Sequence, residues 1–136
     1  MTDKMTGGCL CGAVRYEATG PVLGNMLCHC RDCQFVSGGE PASLVIVARD
    51  ALKIIKGTLK DYTKQGDSGK NVTRKFCENC GTQILSDVEA APQIWVIKTG
   101  TLDSSVDFKP GVIVFTSSAA PWAHMPDGVP QMPKGM

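Results

Sequence analysis

Seven cysteines occur in this 136-residue chain, and every one of them belongs to a tight cluster. Cys9 and Cys11 form a CxC pair, Cys28, Cys30 and Cys33 a CxCxxC triplet, and Cys77 and Cys80 a CxxC pair. Such spacing presents two or three thiolates to one ion, the ligand arrangement of structural zinc. Buried free thiols acting as small hydrophobes would not be paired in this way. Disulfides account for the pattern poorly. The opening residues Met1-Thr2-Asp3-Lys4-Met5 carry no apolar secretory stretch, so the expected compartment is the cytoplasm, where thiols stay reduced. An odd count would also leave one thiol over in any complete pairing.

Coordination chemistry divides the seven. A closed structural zinc takes four protein ligands, whereas a catalytic zinc takes three and leaves one position for water or substrate. The pairs Cys9/Cys11 and Cys77/Cys80 together make one four-thiolate site, tying the start of the chain to a distant strand. The triplet Cys28/Cys30/Cys33 then holds a second ion with an open position, giving two zinc ions per chain. Other partitions strand two cysteines or demand five thiolates on one ion. His29 lies between two cysteines of the triplet. In an extended segment alternate side chains point to opposite sides, so it is expected to face away from the ion and pack. His124, in the C-terminal tail, is expected to be solvated.

The elements read as short strands with turn punctuation. Cys11 to Thr19 alternates, with Val14, Tyr16 and Ala18 on one side. Further strands are predicted over 22–27, 43–48, 52–55, 59–63, 71–76, 94–99 and 112–115. A helical turn is expected over 31–36, closed by Gly38-Gly39, and an exposed loop over 64–70. From about residue 119 the chain is rich in Pro, Gly and Met and is expected to run irregularly. The whole, residues 1–136, reads as one mainly β domain whose loops carry the cysteines. No apolar run approaches the roughly 20 residues that cross a bilayer. Fourteen Lys and Arg against thirteen Asp and Glu give a net charge of +1, without the basic excess of a nucleic-acid-binding domain. Thiolate ligation by seven cysteines against two divalent ions would turn the balance mildly acidic.

Three motifs in order resemble the glutathione-dependent formaldehyde-activating enzyme family, which includes centromere protein V. They are Gly8-Cys9-Leu10-Cys11-Gly12-Ala13-Val14-Arg15-Tyr16, Cys28-His29-Cys30-Arg31-Asp32-Cys33 and Phe76-Cys77-Glu78-Asn79-Cys80-Gly81-Thr82. Ser118-Ala119-Ala120-Pro121-Trp122 is similar to the family's S-x-A-P-W segment. The resemblance implies a β-tent fold, in which short antiparallel sheets are pinned by a structural zinc on Cys9, Cys11, Cys77 and Cys80. It implies a catalytic zinc on Cys28, Cys30 and Cys33. The implied activity is that of a carbon–sulfur lyase resembling S-(hydroxymethyl)glutathione synthase, whose partners are a small thiol such as glutathione and a small aldehyde.

Zinc would hold a coordinated thiol as thiolate or polarise the aldehyde oxygen. Three thiolate ligands already donate much charge to the ion, which favours thiol binding or hydroxyl stabilisation over Lewis-acid activation. A zinc enzyme of the same fold with another small substrate, or a non-enzymatic interaction domain, are the alternatives. The intact triplet favours an enzyme. Glutathione is anionic, and Arg15, Arg31, Arg74 and Lys75 beside the motifs are candidate cations, each also readable as a plain surface charge. Trp122 is a candidate pocket wall or a core residue.

Overall fold

A computed structural model describes residues 4–104 and 107–135. In chain order the elements are β1 (Met5–Gly8), β2 (Arg15–Ala18), β3 (Gly24–Cys28), α1 (Arg31–Ser37), β4 (Ala42–Ala48), β5 (Leu52–Lys56), β6 (Leu59–Gln65), β7 (Asn71–Cys77), β8 (Gln83–Val88), β9 (Ile94–Lys98) and β10 (Val112–Val114). The fold is mainly β. A small antiparallel sheet runs β1-β2-β5, and a seven-stranded sheet runs β10-β3-β4-β9-β8-β7-β6. Every pairing is antiparallel except that of β10 with β3. No helix among the described residues is long and apolar enough to cross a membrane.

The large sheet is covered on both faces, which explains why β4 reads as an unbroken apolar run. Its side chains alternate, so Val45 and Val47 face the small sheet while Ala42 and Leu44 face the other way. On the first face Val45, Val47, Leu85 and Ile97 pack with Tyr16 and Ala18 of β2, and Cys9 and Cys77 lie in the same cluster. On the second face Cys28, Ala42, Leu44, Val96 and Val114 pack with Cys33 of α1. Met132 of the C-terminal tail packs against this second core. The tail is irregular as expected, but it is anchored. Ile113 donates its N–H to Pro130 O at 2.9 Å, and its carbonyl accepts from Met132 N at 2.8 Å.

Several sequence expectations are met closely. Val14, Tyr16 and Ala18 are all buried. Gly38 ends α1 in the left-handed region at φ 84°, the usual helix stop. The differences have physical causes. The first predicted strand is shorter than 11–19, because Cys11 and Gly12 form a turn and pairing begins at Arg15. β1 and β8 were not predicted. The Thr-Gly-Gly of β1 has poor strand propensity and is held by its ladder with β2. β6 extends to Gln65 into the expected loop because its partner β7 continues to Asn71 opposite it.

The strands predicted around Gly57 belong to different sheets, since β5 pairs with β2 and β6 with β7. The chain crosses between sheets through Gly57 at φ 85°, where an added Cβ would stand 2.2 Å from the Ala13 carbonyl oxygen. An L side chain there meets both left-handed strain and a backbone atom that cannot move aside. Gly57→Ala is expected to lower unfolding free energy by about 2 kcal/mol or more in urea titration, with both cysteine clusters retained.

Candidate metal centres

Two turns bring the first cluster together. After β1, Gly12 N donates to Cys9 O at 3.1 Å; after β7, Gly81 N donates to Cys77 O at 2.8 Å. Both glycines have positive φ, 82° and 78°, which lets each turn close directly behind its cysteine pair. The sulfurs of Cys9, Cys11, Cys77 and Cys80 all lie within 4.8 Å of one another. The Cys9–Cys11 and Cys11–Cys77 Sγ separations are 3.6 and 3.8 Å. A zinc with Zn–S bonds near 2.3 Å requires sulfurs about 3.8 Å apart, so the quartet fits a tetrahedral ion.

Donors surround these sulfurs. Val14 N reaches Cys9 Sγ at 3.2 Å, Asn79 N and Cys80 N reach Cys77 Sγ at 3.4 Å each, and Asn79 Nδ2 reaches Cys11 Sγ at 3.2 Å. The Thr82 hydroxyl lies 3.1 Å from Cys80 Sγ. That hydroxyl, aided by the Thr82 backbone N–H, pulls the Cys80 thiol down to about 5. The donors would offset part of the negative charge that four thiolates place on one divalent ion.

The second cluster forms on the opposite face of the large sheet. Cys28 ends β3, Cys30 caps the N-terminus of α1 by accepting from Cys33 N at 3.2 Å, and Cys33 lies in the helix's first turn. Their sulfurs also lie within 4.8 Å of one another, with Cys30 and Cys33 3.0 Å apart. Among the described residues no fourth cysteine, histidine, aspartate or glutamate joins them. Sulfur hydrogen bonds from Cys28 and Cys33 pull the Cys30 thiol down to about 2, with help from the Cys33 N–H and the Arg74 charge. Bonding to Cys30 and Cys33, with burial, pushes the Cys28 thiol up. The cluster thus favours negative charge on Cys30, which suits a cation site.

His29 takes no place among the sulfurs. It is 1% exposed, its backbone N–H donates to Val114 O at 3.0 Å, and its Nε2 has no partner among the described residues. Burial lowers its pKa and keeps it neutral. His124 is exposed.

Gln34, which the sequence did not single out, organises this end of the molecule. Its Nε2 donates to His29 O at 2.8 Å and to Ser118 O at 2.9 Å, and its Oε1 accepts from Arg31 at 2.6 Å. It thereby ties the triplet, α1 and the Ser118–Trp122 segment together. Its burial is visible only in the structure, and no sequence signal marked it.

The four candidate cations separate. Arg15 pairs with Asp103 and Lys75 pairs with Asp61 at 2.9 Å, on the surface. Arg31 stacks on the Phe35 ring at 4.9 Å. Only Arg74 turns toward the triplet. Register places Arg74, Ser86, Val96 and Ile46 in one row across the large sheet, and Val96 packs in the core that contains Cys28 and Cys33. Lys98, two residues beyond Val96 and opposite Leu44, lies on the same face. Burial pushes the Lys98 ammonium down while the charges of Cys33, Cys28 and Cys30 oppose that shift. Its place on this face follows from the strand register and was not marked by any motif. Trp122 is 75% exposed, which overturns its reading as a core residue.

The model of the glutathione-dependent formaldehyde-activating enzyme family matches residues 4–118. The chain belongs to this family. None of the curated proteins compared matches it. Among solved structures, a crystal structure of a Rhodobacter sphaeroides protein superposes with a TM-score of 0.60 at 23% identity, covering 74% of this chain and 89% of that one. That likeness concerns the fold. The match to the family spans all three cysteine motifs and ends before the tail that packs behind β10.

The two clusters should respond differently to mutation, since one joins the two sheets and the other sits on one face. Cys80→Ser is expected to cost about 4 kcal/mol or more of stability and lower zinc content by one ion. Cys30→Ser should also lose one zinc yet unfold within about 1.5 kcal/mol of the parent. Calorimetry with zinc quantitation checks both; equal destabilisation would contradict the assignment.

Proposed function

We propose that the protein is a zinc-dependent carbon–sulfur lyase of the formaldehyde-activating type, acting on the adduct of a small thiol with a small aldehyde. The observation that carries this reading is the three-sulfur cluster with no fourth protein ligand among the described residues. The quartet of Cys9, Cys11, Cys77 and Cys80 is assigned the closed structural ion, and Cys28, Cys30 and Cys33 the open one. A zinc ion held by three sulfurs supplies a position at which a thiol is kept as its thiolate at neutral pH.

The chain's own residues set the conditions for the rest. Cys30 and Cys33 are fixed by the first turn of α1 and Cys28 by the β3 ladder, so the three sulfurs keep one geometry through a catalytic cycle. The Gln34 hydrogen bonds lock α1 to the Ser118 carbonyl and limit drift of the helix away from β3. In the synthetic direction the thiolate sulfur attacks the aldehyde carbon, a C–S bond forms, and the former carbonyl oxygen takes up a proton. In the reverse direction that bond breaks and the hydroxyl proton is released. No oxidant or reductant is involved. Arg74 and Lys98 on the sheet below provide a positive field for the anionic reactant.

The test is exchange NMR with ¹³C-formaldehyde and glutathione, alongside a panel of other small thiols and aldehydes. Zinc-loaded protein is expected to accelerate interconversion of free and hydroxymethylated thiol. Cys28→Ser, Cys30→Ser and Cys33→Ser should each return it to the uncatalysed rate while retaining the structural zinc. Acceleration that survives all three substitutions would remove the triplet from the mechanism.

A further inference from the structure

The two cysteine clusters differ in how their charge is met. Four thiolates on one divalent ion carry two negative charges, and the quartet meets these with N–H and hydroxyl donors from Val14, Asn79, Cys80 and Thr82. The triplet has fewer such donors, the Cys33 N–H to Cys30 and the Cys30 N–H to Cys28. In place of further donors, two cationic side chains stand on the sheet face beneath it. Arg74 is 8% exposed and its Nε has no partner. Lys98 is half-buried on the same face.

Neither takes part in an ion pair among the described residues, although Lys4, Arg15, Arg49, Lys64 and Lys75 all do. The local acid is already engaged. Asp32, in the first turn of α1, accepts from Lys64 Nζ of β6 at 2.9 Å, so its carboxylate is already paired.

The charges do not balance with the cysteines alone. Three thiolates on a divalent ion leave one negative charge against two positive ones. A buried cation without a counter-charge is unfavourable by several kcal/mol, so the site lacks one negative charge. An anion in the open coordination position supplies it.

We propose that Arg74 and Lys98 are positioning residues that make the open site select an anionic fourth ligand, holding a substrate thiol as thiolate and disfavouring a neutral ligand. This rests on the lyase reading of the triplet. The same single charge could instead come from a carboxylate elsewhere on the substrate, and the probes separate the two sources. 2-Mercaptoethanol offers a thiolate and no other charge, mercaptoacetate adds a carboxylate, and imidazole binds as a neutral ligand.

Affinities are measured by titration calorimetry on full-length protein loaded with two zincs, with metal content verified for each variant. Arg74→Met and Lys98→Met are each expected to weaken 2-mercaptoethanol about tenfold and leave imidazole within about twofold. Arg74→Lys and Lys98→Arg, which keep the charge, should restore most of the affinity. Arg74→Gln and Lys98→Gln take the place of any methionine variant that fails to retain both ions.

Unchanged 2-mercaptoethanol affinity would overturn the proposal. So would a loss confined to mercaptoacetate, which would make the pair a carboxylate site, or an equal loss for imidazole, which would make it a shape effect. Failure of the parent protein to take any thiol would instead overturn the lyase reading beneath it.

Discussion

The convergence of four sulfurs from two sheets is the constraint on which the rest of this structure depends. Cys9 and Cys11 follow the first strand of the small sheet, while Cys77 ends a strand of the large one and Cys80 follows it. Cys11 and Cys77 are 66 residues apart in sequence and 3.8 Å apart at sulfur. Closing so long a loop carries a substantial entropic cost, and a metal held by all four sulfurs would offset it at a single point. With that point fixed, Tyr16 and Ala18 are held against Val45, Val47 and Ile97, and the first core follows.

The second cluster depends on the first only through the sheet. The large sheet is two-faced, and what is assembled on one side gives the other side a rigid floor. On that floor β3 and the first turn of α1 bring three sulfurs together, and Gln34 fastens the helix to the chain beyond β10. Division of labour between the clusters has a geometric cause. The quartet bridges the two sheets, whereas the triplet draws its sulfurs from one short stretch, so an ion held there would gain or lose a ligand with little strain on the fold.

Much of this was legible in the sequence. Clustered cysteines announced two sites because metal ligation demands close pairs, and strand alternation placed Tyr16 inward and Arg15 outward because the period of a strand is two. His29 was correctly separated from the sulfurs that flank it by the same rule. What escaped were elements whose stability is not local. β1 is a Thr-Gly-Gly strand held by its neighbour, and the chain around Gly57 reads as one turn between two strands although it passes from one sheet to another. Lys98 was hidden for a related reason, since a lysine ending an apolar strand looks like a surface residue until the face it shares with Val96 is known.

By itself, then, the sequence determined how the seven cysteines group, the mainly β character of the chain and most strand positions, since these follow from short-range spacing and side-chain period. Tertiary structure alone decided which cation meets which site. Arg74 and Lys75 are neighbours in sequence, and the pleat sends one toward the triplet's face and the other to Asp61 on the surface. Electrostatic partnership is set by distance and desolvation across the sheet, and neither quantity exists until the strands are in register.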